Sequence, residues 1–277
     1  MSEFLQSILE QRSRRFMPYR GTGVRTPEEA LEFFNEAGFC LFSHIPGMEL
    51  PCLSNAVRQD EPVDTWEWKD SIPASREVYY GAIYYPAGWA ARPGFVSLAM
   101  LAPLYSLAPI LQFGGDRQTL RRYVKIGQEA IRITDALERE GPLSTGELRA
   151  STGLTGKINA SKFSRALAEA QTHFLITKIG VTSTTRANYG YIWNTFERVF
   201  PQPAQQAETL TEIDATAAII HQYVRTAVAV PLARIAEMLS LDPRSLALAA
   251  RQLVEQGDLC EVKDDSVVYL AVKDQLS

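Results

Sequence analysis

Three cysteines and three histidines are all that the 277 residues contain. Cys40, Cys52 and Cys260 are too few for a disulfide framework, so a reduced, cytoplasmic setting is expected. The spacing Cys40-x3-His44-x7-Cys52 has the look of a metal site, but a structural zinc takes four ligands and the remaining cysteine lies far along the chain. Buried thiols are the expectation there, with no metal; His173 and His221 fall on helical patterns, as packing or surface residues. Long hydrophobic runs are missing too. No stretch approaches the roughly 18 apolar residues of a membrane span, and the most apolar segment, 95–111, is broken by Pro103 and Pro109. The first sixteen residues are amphipathic, with Phe4, Leu5, Ile8 and Leu9 on one side, and lack the apolar core and cleavage site of a secretory leader. No membrane partner is expected. P-loop, dinucleotide fingerprint, nucleophile elbow and His-Glu-x-x-His patterns are absent, so no cofactor is expected.

Charge of one sign is not in large excess either: the net charge is −4. Its distribution is uneven. Residues 1–110 carry 9 basic and 13 acidic side chains, residues 111–200 carry 13 and 8, and residues 201–277 carry 6 and 11. Only the middle stretch is basic, at +5, and a polyanion would be met there first.

What is present is a repeat. Leu143-Ser-Thr-Gly-Glu-Leu148-Arg-Ala-Ser-Thr-Gly-Leu154 aligns without a gap over Val230-Pro-Leu-Ala-Arg-Ile235-Ala-Glu-Met-Leu-Ser-Leu241, at an offset of 87 residues. Each copy has an apolar helix before it, a second helix after it, and then a two-stranded hairpin. The expected fold class is α+β: an N-terminal mixed α/β module (1–110), then two tandem winged-helix (helix-turn-helix) domains (111–200 and 208–277).

Local signals place the elements. Thr26-Pro27-Glu28-Glu29 starts a helix that stops at Gly38. Phe39–Phe42 and Val78–Tyr85 read as strands, 48–64 as irregular, and 98–107 as a short helix. In the middle module, helices are expected over 117–140, 144–152 and 160–172, with a capping box from Ser144 to Glu147. Strands over 174–179 and 189–193 would flank a wing, Gly180–Asn188. Pro201–Ala207 reads as a polar linker. Helices near 210–227, 231–239 and 243–256, a cap at Gly257, and strands 259–262 and 267–270 complete the last module.

A winged helix sets its third helix in the major groove and its wing on the backbone. In the middle module those parts carry Lys157, Asn159, Ser161, Lys162, Arg165, Arg186, Asn188 and Tyr189. Lys and Arg neutralise phosphates, and Arg and Asn pair with base edges; the alternative is a solvated polar face. The last module offers Arg244, Ser245 and Arg251, but its hairpin tip is acidic at Asp264 and Asp265, so it is expected to pack or to form a homo-oligomer. Arg12, Arg14, Arg15, Arg20 and Arg25 form a further basic patch. They would clamp a phosphate backbone or pair with the acidic helix at Glu28, Glu29, Glu32 and Glu36; both readings stand. Trp66-Glu67-Trp68-Lys69-Asp70 is the most unusual string. With Tyr79, Tyr80, Tyr84, Tyr85 and Trp89 it lines either a base-stacking pocket or an aromatic core with Lys69 and Asp70 paired at its edge.

Trp66-Glu-Trp-Lys-Asp-Ser-Ile-Pro73, Val78-Tyr-Tyr-Gly81 and Pro93-Gly-Phe-Val-Ser-Leu98 through Leu101-Ala-Pro-Leu-Tyr105 resemble an AlkZ-related branch of the winged-helix family of bacterial crosslink-repair DNA glycosylases. The resemblance implies DNA binding and hydrolysis of the N-glycosidic bond of an alkylated base. That family carries Gln-x-Gln or Gln-x-Asp in its N-terminal half, and no such triplet occurs in residues 1–200 here; Gln256-Gly257-Asp258 fits by letters only, at a helix C-cap. The fold and the DNA-binding tendency are carried over, and the catalysis is not. The expectation is therefore a protein that binds double-stranded DNA and acts in recognition or repair of damaged DNA, with no evident catalytic motif. The alternatives are a glycosylase-like hydrolase using Asp70 or Glu67 as its carboxylate, and a non-catalytic protein-interaction module.

Overall fold

The computed structural model describes residues 2–275 apart from 59, 61–62, 85–90, 113, 115–118, 121, 123, 125 and 184–189. Helix α1 (Glu3–Phe16) starts at Ser2, whose hydroxyl accepts from the Leu5 amide. Helix α2 (Pro27–Ala37) has the Thr26 cap, with Pro27 at its first turn, and stops at Gly38, whose φ of 69° suits glycine. Its buried face is Ala30, Phe33, Phe34 and Ala37, and the Phe34 ring stacks on Phe95 at 4.1 Å. Strand β1 (Phe39–Leu41) follows. The stretch read as irregular contains helix α3 (Leu53–Ala56), and α4 (Thr65–Ala74) comes after it. Strands β2 (Val78–Tyr84) and β3 (Arg92–Ser97) complete an antiparallel sheet in the order β1-β3-β2, and Ser97 leads directly into α5 (Leu98–Ser106). A short helix, α6 (Pro109–Gln112), comes next.

The middle segment departs from expectation at its start. Thr119, Leu120 and Arg122 are helical, but that helix does not run on to Glu140: α7 (Gln128–Glu140) opens separately at Gly127. Glycine is a poor helix interior, and here its amide donates to Glu169 Oε1 at 2.9 Å instead of continuing a helix. Strand β4 (Leu143–Ser144) and α8 (Thr145–Ser151) follow, joined by the Ser144–Glu147 capping box. After a 3-10 turn, Lys157–Asn159, comes α9 (Ala160–Thr172), which buries Phe163, Ala166, Leu167 and Ala170. Strand β5 (Ile176–Val181) starts two residues later than expected, because Phe174 adopts a φ of 54°. That conformation costs about 1–3 kcal/mol, and it carries the ring into the core, 5.5 Å from Tyr79 and 5.4 Å from Phe196. Strand β6 (Tyr191–Thr195) pairs with both β4 and β5.

Helix α10 (Phe196–Val199) is followed, after the non-helical Phe200, by α11 (Pro201–Ala207). The segment read as a polar linker is therefore helical. Pro201 sits where a missing N–H costs nothing, and Pro203, Ala204 and Ala207 form a buried face against α5. The last segment holds α12 (Glu212–Ala227), β7 (Ala229–Val230), α13 (Leu232–Leu239), α14 (Pro243–Gln256) and the hairpin β8 (Cys260–Asp264) and β9 (Val267–Ala271). Gly257 caps α14 at φ 84°. The middle and last segments thus repeat one order, helix, short strand, helix, helix, hairpin. Their sheets repeat it too, as β4-β6-β5 and β7-β9-β8.

The segments share a core. One buried cluster runs from Phe39, Tyr79 and Leu104 through Phe163 and Trp193 to Ile219, Leu246 and Leu270. Helix α4 of the first segment packs on strand β5 of the second, while its own Trp68 and Ile72 belong to a separate N-terminal cluster.

Candidate nucleic-acid interface and an adjoining groove

Asp64 starts α4 by accepting from the amides of Trp66 (3.0 Å) and Glu67 (3.4 Å). From that start the helical period sorts the aromatic string. Trp68 turns inward, while Trp66 remains 62% exposed. Lys69 and Asp70 are paired, and both are buried.

The pair is buried because a third charge, Lys178 on β5, completes it. Asp70 accepts from Lys69 Nζ at 3.1 Å through both oxygens and from Lys178 Nζ at 2.9 Å. Lys178 Nζ also donates to the Lys69 carbonyl at 3.0 Å, and Lys69 Nζ to the Tyr191 hydroxyl at 3.2 Å. Both lysine side chains are only 3% exposed. Two ammonium groups on one carboxylate repel each other, and aromatic faces offset part of that. Lys69 Nζ lies 4.2 Å from the Trp66 ring centroid, and Lys178 Nζ 4.3 Å from that of Tyr80 and 4.4 Å from that of Tyr191.

Burial pushes the Lys178 ammonium down to about 8 against a pull upward from Asp70, and Lys69 adds to the fall. Burial also raises the Tyr80 and Tyr105 hydroxyls. A lysine depressed in the folded state leaves the unfolded chain binding more protons above pH 8, so stability rises with pH from there. The tyrosines have the opposite sign and begin to oppose the gain near their ordinary value of 10. Lys178→Met is therefore expected to flatten the rise between pH 8 and 10, measured as urea-unfolding free energy; an unchanged slope would assign the rise elsewhere.

The register of β5 on β6 shifts between Lys178 and Gly180. This bulge lets Lys178 face inward while Ile179, Gly180 and Val181 face a groove of about 1090 Å³. Asp64, Trp66, Glu67, Asp70 and Ser71 of α4 line the opposite side. Of the three buried charges, Asp70 is the one that reaches this groove.

On the outer side of the middle segment, Lys157, Ser161, Lys162 and Arg165 are exposed around the start of α9. Lys162 contacts Glu129 Oε1 at 2.7 Å, and the Asn159 amide donates to the Thr155 carbonyl at 2.9 Å. Arg186, Asn188 and Tyr189 lie outside the described residues, as do Tyr85 and Trp89. The N-terminal basic patch divides. Arg12 is drawn into the fold, donating to the carbonyls of Ala227 (2.6 Å) and Ala229 (2.7 Å). Arg15 pairs with Glu36 at 2.8 Å and donates to the Arg225 carbonyl, and Arg20 pairs with Glu32 and Glu36. Arg15 and Arg20 thus follow the pairing reading, against Glu32 and Glu36 of α2, and Arg12 is held by carbonyls at the end of α12 and on β7. Arg14 stays on the surface beside Glu10. Lys178 and Ile158 were not singled out by sequence; Lys178 carries no local signal, since its hydrogen-bond partners Lys69 and Asp70 lie more than a hundred positions away.

Three comparisons bear on these features. A family model described as AlkZ related matches residues 24–240, which include α4, the groove and the β5–β6 hairpin. The structure is similar to that of the Streptomyces sahachiroi DNA glycosylase AlkZ, with a TM-score of 0.61 at 13% identity, over 99% of this chain and 71% of that one. At that identity the likeness is one of fold. No curated protein matches the sequence.

Proposed function

The chain belongs to the AlkZ-related family, and from that premise we propose that it binds duplex DNA through its middle segment and receives an unpaired nucleobase in the adjoining groove. In this reading the two repeated units are winged helices. Helix α9 enters the major groove, Lys157, Lys162 and Arg165 meet phosphates, and the β5–β6 hairpin follows the backbone. The last unit, acidic near its hairpin tip, packs instead of touching phosphate. One observation carries the reading: the hairpin that would lie along the duplex is itself a wall of the groove. A base leaving the helix beside that hairpin meets the open indole of Trp66, and stacking on such a face is worth about 1–3 kcal/mol.

Binding to a duplex across a salt series tests this. Log affinity is expected to fall with log salt by about 0.9 per phosphate contacted, giving a slope of several; a flat response overturns the proposal.

A second reading rests on Asp70. A carboxylate lining the groove would stabilise the positive charge that develops on a deoxyribose as its base departs, as in a DNA glycosylase. The two lysines beneath Asp70 weaken that field, which places base capture ahead of hydrolysis. Release of free base from a panel of alkylated duplexes would support hydrolysis; no release from any of them ends it.

A further inference from the structure

Among the described residues, Ile158 is the most exposed large apolar side chain, at 92%. It occupies the 3-10 turn just before α9, and the fold makes no use of it: the buried face of α9 is supplied by Phe163, Ala166, Leu167 and Ala170. The turn is nonetheless well defined. Gly156 enters it at φ 79°, and the Asn159 amide closes on the Thr155 carbonyl. Ile158 is therefore presented on an ordered turn rather than a loose loop. Its surroundings are cationic. Lys157 precedes it, and Lys162 and Arg165 follow at i+4 and i+7, which is one face of a helix.

An isolated isoleucine among three basic residues, one of them paired with Glu129, does not suit the centre of a protein interface, where charged residues are depleted. It does suit a polyanion that carries small apolar points. In duplex DNA those points are the C5 methyl groups of thymine in the major groove, and the start of a recognition helix is the part that meets base edges there.

We infer that Ile158 packs against a pyrimidine C5 methyl group, that of thymine, and gives this protein a preference at one base position within otherwise phosphate-driven binding. The inference rests on the reading of α9 as the helix that enters the major groove. It also assigns a role to a side chain that has none in the core.

The test uses the full chain and duplexes enriched from a random pool for tight binding. Single thymines are replaced in turn by deoxyuridine, which removes only the methyl. One replacement is expected to weaken binding about four-fold, the factor for one buried methyl-sized group. A cytosine to 5-methylcytosine exchange at that position is expected to gain about the same factor, which separates the methyl from the rest of the base. Ile158→Ala is expected to abolish both differences and to leave the salt slope unchanged. If the variant keeps the thymine preference, or no thymine matters while binding still weakens with salt, the assignment of Ile158 is overturned and the DNA-binding proposal stands. A flat salt response removes both.

Discussion

Asp70→Asn is expected to cost about 3–5 kcal/mol of folding stability, the range for removing one member of a buried ion pair. The asparagine fills nearly the same space, so packing is not the cause. Its loss leaves Lys69 and Lys178 facing each other with side chains 3% exposed and no carboxylate between them. Burial already disfavours the Lys178 ammonium, and without Asp70 the main upward pull is gone. The midpoint of urea unfolding at pH 7 checks this, and a change under about 1 kcal/mol would show that the cluster is hydrated rather than buried. A companion variant separates stability from function. Replacing Lys69, Asp70 and Lys178 together by methionine, leucine and methionine is expected to be neutral or stabilising by about 1–4 kcal/mol. That variant keeps the fold and loses the Asp70 carboxylate from the groove, so any loss of base capture in it is a loss of function.

The second large effect concerns the duplex. Replacing Lys157, Lys162 and Arg165 together by alanine is expected to lower the salt slope by about 2.7, at 0.9 per phosphate contact. Contacts that vanish at about 1 M salt are then worth roughly 500-fold in affinity at 0.1 M. All three side chains are exposed, so the variant should unfold at nearly the same denaturant concentration as the natural protein. Lys162 has a competing partner in Glu129, and the single Lys162→Ala change is expected to be the weakest of the three. An affinity loss with an unchanged slope would mean that these residues support the fold of the binding surface without touching phosphate.

Elements with strong end signals were legible in the residues alone. Thr26, Pro27 and Gly38 bound α2, Ser144 and Glu147 start α8, and Gly257 ends α14, because each satisfies a backbone need within a few positions. Helix α9 and the repeated unit followed from apolar spacing. Elements decided by distant packing were not legible. Pro201–Ala207 looks polar until α5 is placed against its small buried face, and Phe174 leaves the strand pattern to reach an aromatic cluster assembled from β2, α5 and α10. The groove was half visible. The string from Trp66 to Asp70 was conspicuous, but Lys178 joins it from 108 positions away. Of the two readings of the basic patch, pairing with the acidic helix holds for Arg15 and Arg20, whereas the acceptors of Arg12 were not legible, being carbonyls 215 and 217 positions distant.

The open indole at the groove edge has an optical consequence. Trp68 and Trp193 are sealed in the interior, so water-facing emission from the described tryptophans comes from Trp66. An acrylamide quenching curve should resolve an accessible and a shielded population of emitters. A base that stacks on Trp66 would move it from the first to the second, so the protein carries a built-in signal for occupancy of the groove, one that needs no label on protein or DNA.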